Sequence, residues 1–386
     1  MKNLSQISNS YNDDKVIANC GLFGMMSLEG RTCSGKDIIR AIANMRVRGN
    51  GLGGGFAAYG IYPNYADYYA MHIMYQTRSA KEQTESFLKD SFRIAMEGEV
   101  PHRYAPGVSD PPLVWRYFVE PTRNVAPEYA DDYVVEKVMN INTKIDDSFV
   151  FSSGKNMGVF KGVGHPEDIG NYFILEDYEA YLWVSHSRFP TNTQAWWGGA
   201  HPFSILDWTV VHNGEVSSYG TNRNFLEMRG YFCTMHTDTE VMAYAVDLLI
   251  RKHGLPIDIV AKIMASPLWL EIDEMPEDER QLDTMLRQVY SGLLINGPFT
   301  IIIAHQGEMI GLGDRVRLRP LVAGIKDDMF YLSSEEAPMK LICPSLEYTW
   351  IPKGGEPIIG KLATKEVIYK NEPVILGVKN AINSVA

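Results

Sequence analysis

The chain has 386 residues, 45 % hydrophobic and 22 % charged, an ordinary soluble balance that excludes disordered and fibrous classes. Its net charge of -11 and pI near 5.4 argue against nucleic acid or an anionic membrane as the main partner, because both demand a basic surface. The length allows two domains or one large domain with an insertion. Four cysteines, Cys20, Cys33, Cys233 and Cys343, form no C-x-x-C pair and no zinc-like spacing with histidine. No metal centre or disulfide framework is therefore expected, and a reducing cytoplasm fits best.

In chain order, residues 1–19 are polar and lack the apolar core of a signal peptide. No later stretch reaches the roughly 18 apolar residues of a membrane span. Residues 20–28 read as a buried strand headed by Cys20. If the bond before Cys20 is cut, that residue carries a thiol and a free α-amino group together, a nucleophile with its own base. Residues 35–47 read as an amphipathic helix with Ile38, Ile39, Ala41, Ile42 and Met45 on one side. Gly49, Gly51 and Gly54 then match G-x-G-x-x-G in letters only. A dinucleotide fingerprint needs a strand before and a helix after, and here the order is reversed, so the glycines are read as backbone room beside a reactive centre.

Residues 66–155 form a separate αβ pattern. Strands are expected at 68–76, 113–119 and 148–151, helices at 79–95 and 128–142, and a Pro-, Gly- and Asp-rich loop at 99–112. The unit has no titratable cluster suggestive of chemistry and reads as an insertion for assembly or docking. Next, a strand at 182–187 delivers Arg188 to a Pro-broken loop, where its fork suits a carboxylate ligand or a structural ion pair. Trp196-Trp197-Gly198-Gly199 reads either as an aromatic cover or as a packed loop. A strand at 208–212 ends in Asn213-Gly214, by pattern a hairpin turn, alternatively a pair of oxyanion donors. Thr237 to Glu240 fits a capping box, so Asp238 is explained by the helix dipole, although a helix start is also a rigid mount for a carboxylate that binds an ammonium. Residues 300–305 and 309–313 suit an antiparallel pair.

Taken together and in this order, six motifs resemble the class II glutamine amidotransferases of the N-terminal-nucleophile hydrolase superfamily. They are Cys20-Gly21-x-Phe23-Gly24, Arg48-Gly49, Ser185-His186-x-Arg188-Phe189-x-Thr191-Asn192-Thr193, Ala200-His201-Pro202-Phe203, His212-Asn213-Gly214-Glu215 and Thr237-Asp238-Thr239-Glu240. Gly297-Pro298-Phe299, Arg319-Pro320-Leu321 and Ser333-Ser334-Glu335 extend the likeness to about residue 368. It is most similar to the stand-alone amidotransferase subunit or domain of glutamate synthases. The resemblance implies an α+β fold, a four-layer αββα sandwich over residues 20–386 with the 66–155 unit projecting from one edge.

It also implies roles. Cys20 attacks glutamine, and Asn213 and Gly214 stabilise the oxyanion. Arg188, Thr191, His201, Asp238 and Arg48 bind substrate. No metal or organic cofactor is expected in this chain. Ammonia would pass to a partner subunit containing flavin and an iron–sulfur cluster, for glutamate synthesis. Residues 1–19 would be a propeptide, where many relatives carry cysteine directly after the initiator Met. Two competing expectations are a non-catalytic assembly or regulatory subunit with Cys20 left masked, and an amidotransferase serving another acceptor, as in methylglutamate synthesis. An N-terminal-nucleophile amidase for another amide is a third.

Overall fold

The computed structural model describes residues 19–122, 124–190, 195–362, 367–369 and 372–374. The strand Gly21–Ser27 is buried along its whole length. A run as apolar as Leu22, Phe23, Met25 and Met26 requires cover on both faces, and two different layers supply it. In its own sheet the strand pairs antiparallel with Leu182–Ser187 on one side and Met329–Ser333 on the other. The seven strands run in the order Tyr348–Trp350, Val322–Lys326, Met329–Ser333, Gly21–Ser27, Leu182–Ser187, Gly54–Tyr59, Met157–Gly162.

A second seven-stranded antiparallel sheet is ordered Phe203–Ile205, Trp208–Gly214, Phe299–His305, Glu308–Gly313, Ile358–Lys361, Val367–Tyr369, Glu372–Val374. The two sheets pack face to face. At Gly24 a Cβ would lie 2.7 Å from Met309 Sδ of the opposite sheet, so the two layers meet closely there. The helices Gly35–Ala43 and Pro166–Tyr172 cover the outer face of the first sheet, and Asp238–Val246 covers the second. The expected αββα layering is therefore present. The first helix ends at Ala43, short of the expected 47, because the chain tightens into a 3₁₀ turn at Arg46–Arg48.

The 66–155 region holds a four-stranded sheet in the order Phe92–Glu99, Leu113–Pro121, Tyr69–Tyr75, Ser148–Ser152, with helices Arg78–Ser91 and Ala130–Lys144. One expectation is corrected here. Residues 92–99 form an edge strand, not the end of a helix followed by a loop. Its exposed positions, Arg93, Ala95, Glu97 and Glu99, are helix-compatible and continue the preceding helix, which disguises it in the sequence. The unit shares an apolar cluster with the second sheet. Met71, Tyr75 and Val138 belong to one continuous apolar cluster with Val210, Val241 and Leu312 of the second sheet and its helix. Among the described residues no helix is long and apolar enough to cross a membrane.

Candidate active site

Cys20 stands immediately before the central strand Gly21–Ser27, half-buried, and its Sγ accepts the Phe189 N–H at 3.3 Å. Its carbonyl accepts a hydrogen bond from Arg48 Nε at 3.1 Å, and Arg48 Nη1 pairs with Glu335 at 2.6 Å. Arg48, expected to bind substrate, does not line the cavity described below; it holds the backbone of Cys20. The Asn19 side chain accepts from Arg319 Nη1 at 2.8 Å. Burial pushes the Cys20 thiol above its ordinary range, opposed by the Phe189 N–H and Arg188 and reinforced by Asp238 and Glu215. Such a thiol is protonated at neutral pH and needs a base to act. In this chain its α-nitrogen is the amide that joins it to Asn19.

Cys20 lines a cavity of about 320 Å³ together with Arg188, His201, His212, Gly214 and Asp238. Arg188 leaves the end of Leu182–Ser187 and donates its N–H to Gly53 O at 2.9 Å. Its stem crosses Gly53, where a Cβ would come within 2.9 Å of Arg188 Cδ, and a Cβ on Gly49 would meet Ser187 Oγ at 2.2 Å. The glycine-rich run is the backbone room expected of it.

The Asn213-Gly214 pair is not a hairpin turn. The strand Trp208–Gly214 runs through both residues, which face Thr300 and Phe299 of the neighbouring strand. Gly214 has φ 154, and a Cβ there would sit 2.0 Å from Pro298 O, so only glycine fits. Asn213 falls on the face shared with Val211, which packs between the sheets. It is buried, and its Nδ2 has no hydrogen-bond partner among the described residues. A buried orphan donor costs about 1–3 kcal/mol, a cost without return unless something else accepts from it.

Asp238 heads the helix Asp238–Val246. Thr237 is the N-cap and accepts from the Thr239 N–H at 3.3 Å, but the capping box is not closed. Glu240 turns away instead and accepts from the Thr234 and Met235 N–H groups at 3.0 and 2.9 Å. Asp238 Oδ2 accepts from Val216 N–H at 3.1 Å, and Oδ1 lies 3.4 Å from His212 Nδ1. Burial alone would raise this carboxyl; His212, the Val216 N–H and the Thr239 hydroxyl outweigh it and hold Asp238 below the usual carboxylate range. A lasting anion results.

Beside these charges lie three buried histidines, of which sequence reasoning assigned a role only to His201. The His186 and His201 rings lie with centroids 4.1 Å apart, tilted by 32°, and Thr239 Oγ1 is 3.2 Å from both His201 Nε2 and His212 Nδ1. His186 Nε2 donates to His212 O at 3.0 Å. Burial lowers His186 to about 3 and His201 well below its ordinary value, so both are neutral. Their only sequence signal was their position inside the quoted motifs. Glu215, Tyr219 and His236 were missed as cavity residues; Glu215 closes one of the quoted motifs, while Tyr219 and His236 carry no local pattern. Thr191 lies outside the described residues, as do residues 1–18 of the expected propeptide.

Cys33, Cys233 and Cys343 are free thiols away from the cavity, and no group of three His, Cys, Asp or Glu residues suited to a metal occurs among the described residues. Trp197 is buried against Tyr172 and Phe173 and donates to Ser109 O at 3.1 Å, so the Trp196-Trp197 stretch is a packed loop.

Comparison with known proteins bears on the family. A protein of Archaeoglobus fulgidus with no assigned activity is 58 % identical over 358 residues, covering 92 % of this chain and 95 % of that one. An amidophosphoribosyltransferase of Methanocaldococcus jannaschii is 24 % identical over 192 residues, 49 % of this chain and 35 % of that protein. The solved glutamine phosphoribosylpyrophosphate amidotransferase of B. subtilis aligns over 93 % of this chain and 50 % of its own at 14 % identity, with a TM-score of 0.47. The family model described as glutamine amidotransferases class-II matches residues 108–373, a span that holds Arg188, His201, Asn213, Gly214 and Asp238 while Cys20 precedes it. Because that match takes in more than half of the chain, the chain belongs to the class II glutamine amidotransferases.

Proposed function

We propose that the chain acts as the glutaminase subunit of a glutamate-forming synthase, with Cys20 as its nucleophile once the Asn19–Cys20 bond is cut. The observation that carries this reading is the meeting of a cation, an anion and a thiol on one cavity of about 320 Å³: Arg188, Asp238 and Cys20. Arg188 pairs with the α-carboxylate of glutamine and Asp238 with its α-ammonium, which directs the side-chain amide to Cys20 Sγ. The freed α-amino group, with an ordinary pKa near 8, takes the thiol proton as sulfur attacks the amide carbon. The oxyanion is met by the Asn213 Nδ2 donor and the Gly214 N–H. Collapse breaks the C–N bond, the amino group returns its proton to the leaving nitrogen, and ammonia departs. Water then adds to the thioester, releasing glutamate and regenerating the thiol. Amide hydrolysis of this kind needs no metal or organic cofactor, and the partner subunit receives the ammonia; its flavin and iron–sulfur cluster belong to that partner.

One feature favours a second reading, a non-catalytic subunit with Cys20 masked: the Cys20 α-nitrogen in this chain is an amide and the thiol is held protonated. Intact mass spectrometry of protein from active cells, combined with a glutaminase assay, separates the two. A mass beginning at Cys20 with glutamine turnover is expected; a full-length mass with no turnover favours the masked subunit. Native co-purification identifies the acceptor, and recovery of a partner that makes methylglutamate or another amidated product replaces glutamate synthesis as the role.

A further inference from the structure

Behind the cavity sits a lysine that the proposed reaction does not use. Lys161, in the strand Met157–Gly162, is 1 % exposed. Its ammonium lies over the rings of Phe203 and Phe151, 4.0 and 4.7 Å from their centroids, and donates to Gly198 O at 3.0 Å, with Met235 Sδ at 4.0 Å. Burying an ammonium costs several kcal/mol even after relaxation, and an apolar side chain of equal length would fill the same space without that cost. What distinguishes lysine here is therefore the contact made by its head.

That contact ties together two segments that carry cavity residues. Gly198 precedes Gly199, where a Cβ would lie 3.5 Å from Arg188 Nη1, and His201 follows two residues later. The stem of Lys161 is packed there as well: a Cβ on Gly55 would meet His201 O at 2.2 Å and Lys161 Cβ at 2.6 Å. The second segment is 234–238. Glu240, fully buried, holds the Thr234 and Met235 N–H groups and accepts from Tyr244 OH at 3.1 Å. His236, Thr237 and Asp238, which line the cavity, come directly after.

We propose that Lys161, together with Glu240, is a positioning pair that sets the 198–201 segment against the 234–238 segment, and so fixes the Arg188-to-Asp238 spacing that receives the amino-acid head of the substrate. The proposal rests on the reading of the cavity as a glutamine site. Burial lowers Lys161 and raises Glu240, while each opposes the other's shift, which marks them as electrostatically coupled. The pair leaves the thiol chemistry itself untouched, since neither residue lines the cavity.

The test uses the chain beginning at Cys20, with Lys161→Met and Glu240→Gln as variants. Lys161→Met keeps the volume and removes the donor. The glutamine KM should rise about tenfold or more while kcat stays within about threefold, and Glu240→Gln should raise KM about threefold. Alkylation of Cys20 by iodoacetamide, which has no amino-acid head to recognise, should keep its wild-type rate. An unchanged KM in folded Lys161→Met overturns the proposal, as does a kcat loss matching the KM rise with slowed alkylation. If Lys161→Met does not fold, Glu240→Gln decides, and an unchanged KM there overturns it. A wild-type chain starting at Cys20 that turns over no glutamine overturns the substrate reading, and the positioning role with it.

Discussion

The two ends of the cavity are built differently. At the Cys20 end the fixed contacts are made to backbone atoms. The Phe189 N–H holds the Cys20 sulfur, Arg48 holds the Cys20 carbonyl, and Gly214 presents no side chain at all. One strong donor there, the Asn213 amide, is left without a partner among the described residues. At the other end polar side chains engage one another, although His186 Nδ1, His201 Nδ1 and His212 Nε2 have no partner among the described residues. Asp238 accepts from the Val216 N–H and faces His212, while Thr239 joins His201 to His212. The contrast follows from when charge is present. A permanent carboxylate must be solvated by the protein at all times, or it takes up a proton. Under the proposed reaction the oxyanion exists only briefly, and a donor left unsatisfied in the resting state is stronger for it when charge arrives.

The largest effect that would test this contrast comes from the sulfur. Cys20→Ala should lower glutamine turnover by about 10⁴-fold or more, since without the nucleophile only binding and the oxyanion donors remain. Steady-state assay of ammonia release measures it, and retained turnover would move the chemistry elsewhere. Asn213→Ala should lower kcat by about 10²–10³-fold with KM little altered, the signature of a contact made in the transition state.

At the charged end the pattern should invert. Arg188→Ala or Asp238→Asn should raise the glutamine KM about 30-fold or more, with a smaller change in kcat, because each leaves one buried charge of the substrate unmatched. If Asn213→Ala and Arg188→Ala gave the same KM and kcat profile, the division of the cavity into two ends would be wrong.

The last effects are those of pH, and the two ends should again separate. At the Cys20 end the base must be free of its proton, so kcat/KM should climb with pH toward the ordinary α-amine value near 8. At the charged end the histidines act on stability. His186 is neutral when folded, with its pKa lowered to about 3, against about 6.5 in the unfolded chain. Its contribution is therefore fully present above pH 6.5 and is lost as pH falls toward 3, at up to about 1.4 kcal/mol per pH unit. Chemical denaturation between pH 7 and 4 should show a shallower acid slope in His186→Gln than in wild type; equal slopes would mean that His186 is not held neutral.

Much of the fold was legible because it rests on local pattern. The strand after Cys20, the strand carrying Arg188 and the antiparallel pair after Pro298 fall close to where their periodicity places them. Local pattern failed where two meanings share one string of letters. Asn213-Gly214 reads as a turn, but pairing with Thr300 and Phe299 keeps it in a strand. Thr237 to Glu240 reads as a capping box, but Thr234 and Met235 offer Glu240 better donors from outside the helix. The edge strand Phe92–Glu99 was hidden because its helix-compatible residues continue the preceding helix.

By itself the sequence determined which residue types could do the chemistry and in what order they come, since a cysteine, an arginine, an Asn-Gly pair and an aspartate are chemical identities that folding does not change. Tertiary structure alone decided that Cys20, Arg188, His201, Gly214 and Asp238 share a cavity while Arg48 braces its rim. It also decided that His186 and His201 are neutral, and that Lys161 and Glu240 stand behind the wall. The physical reason is that adjacency and desolvation arise from packing between segments up to about two hundred residues apart, and no window of sequence contains both partners of such a contact.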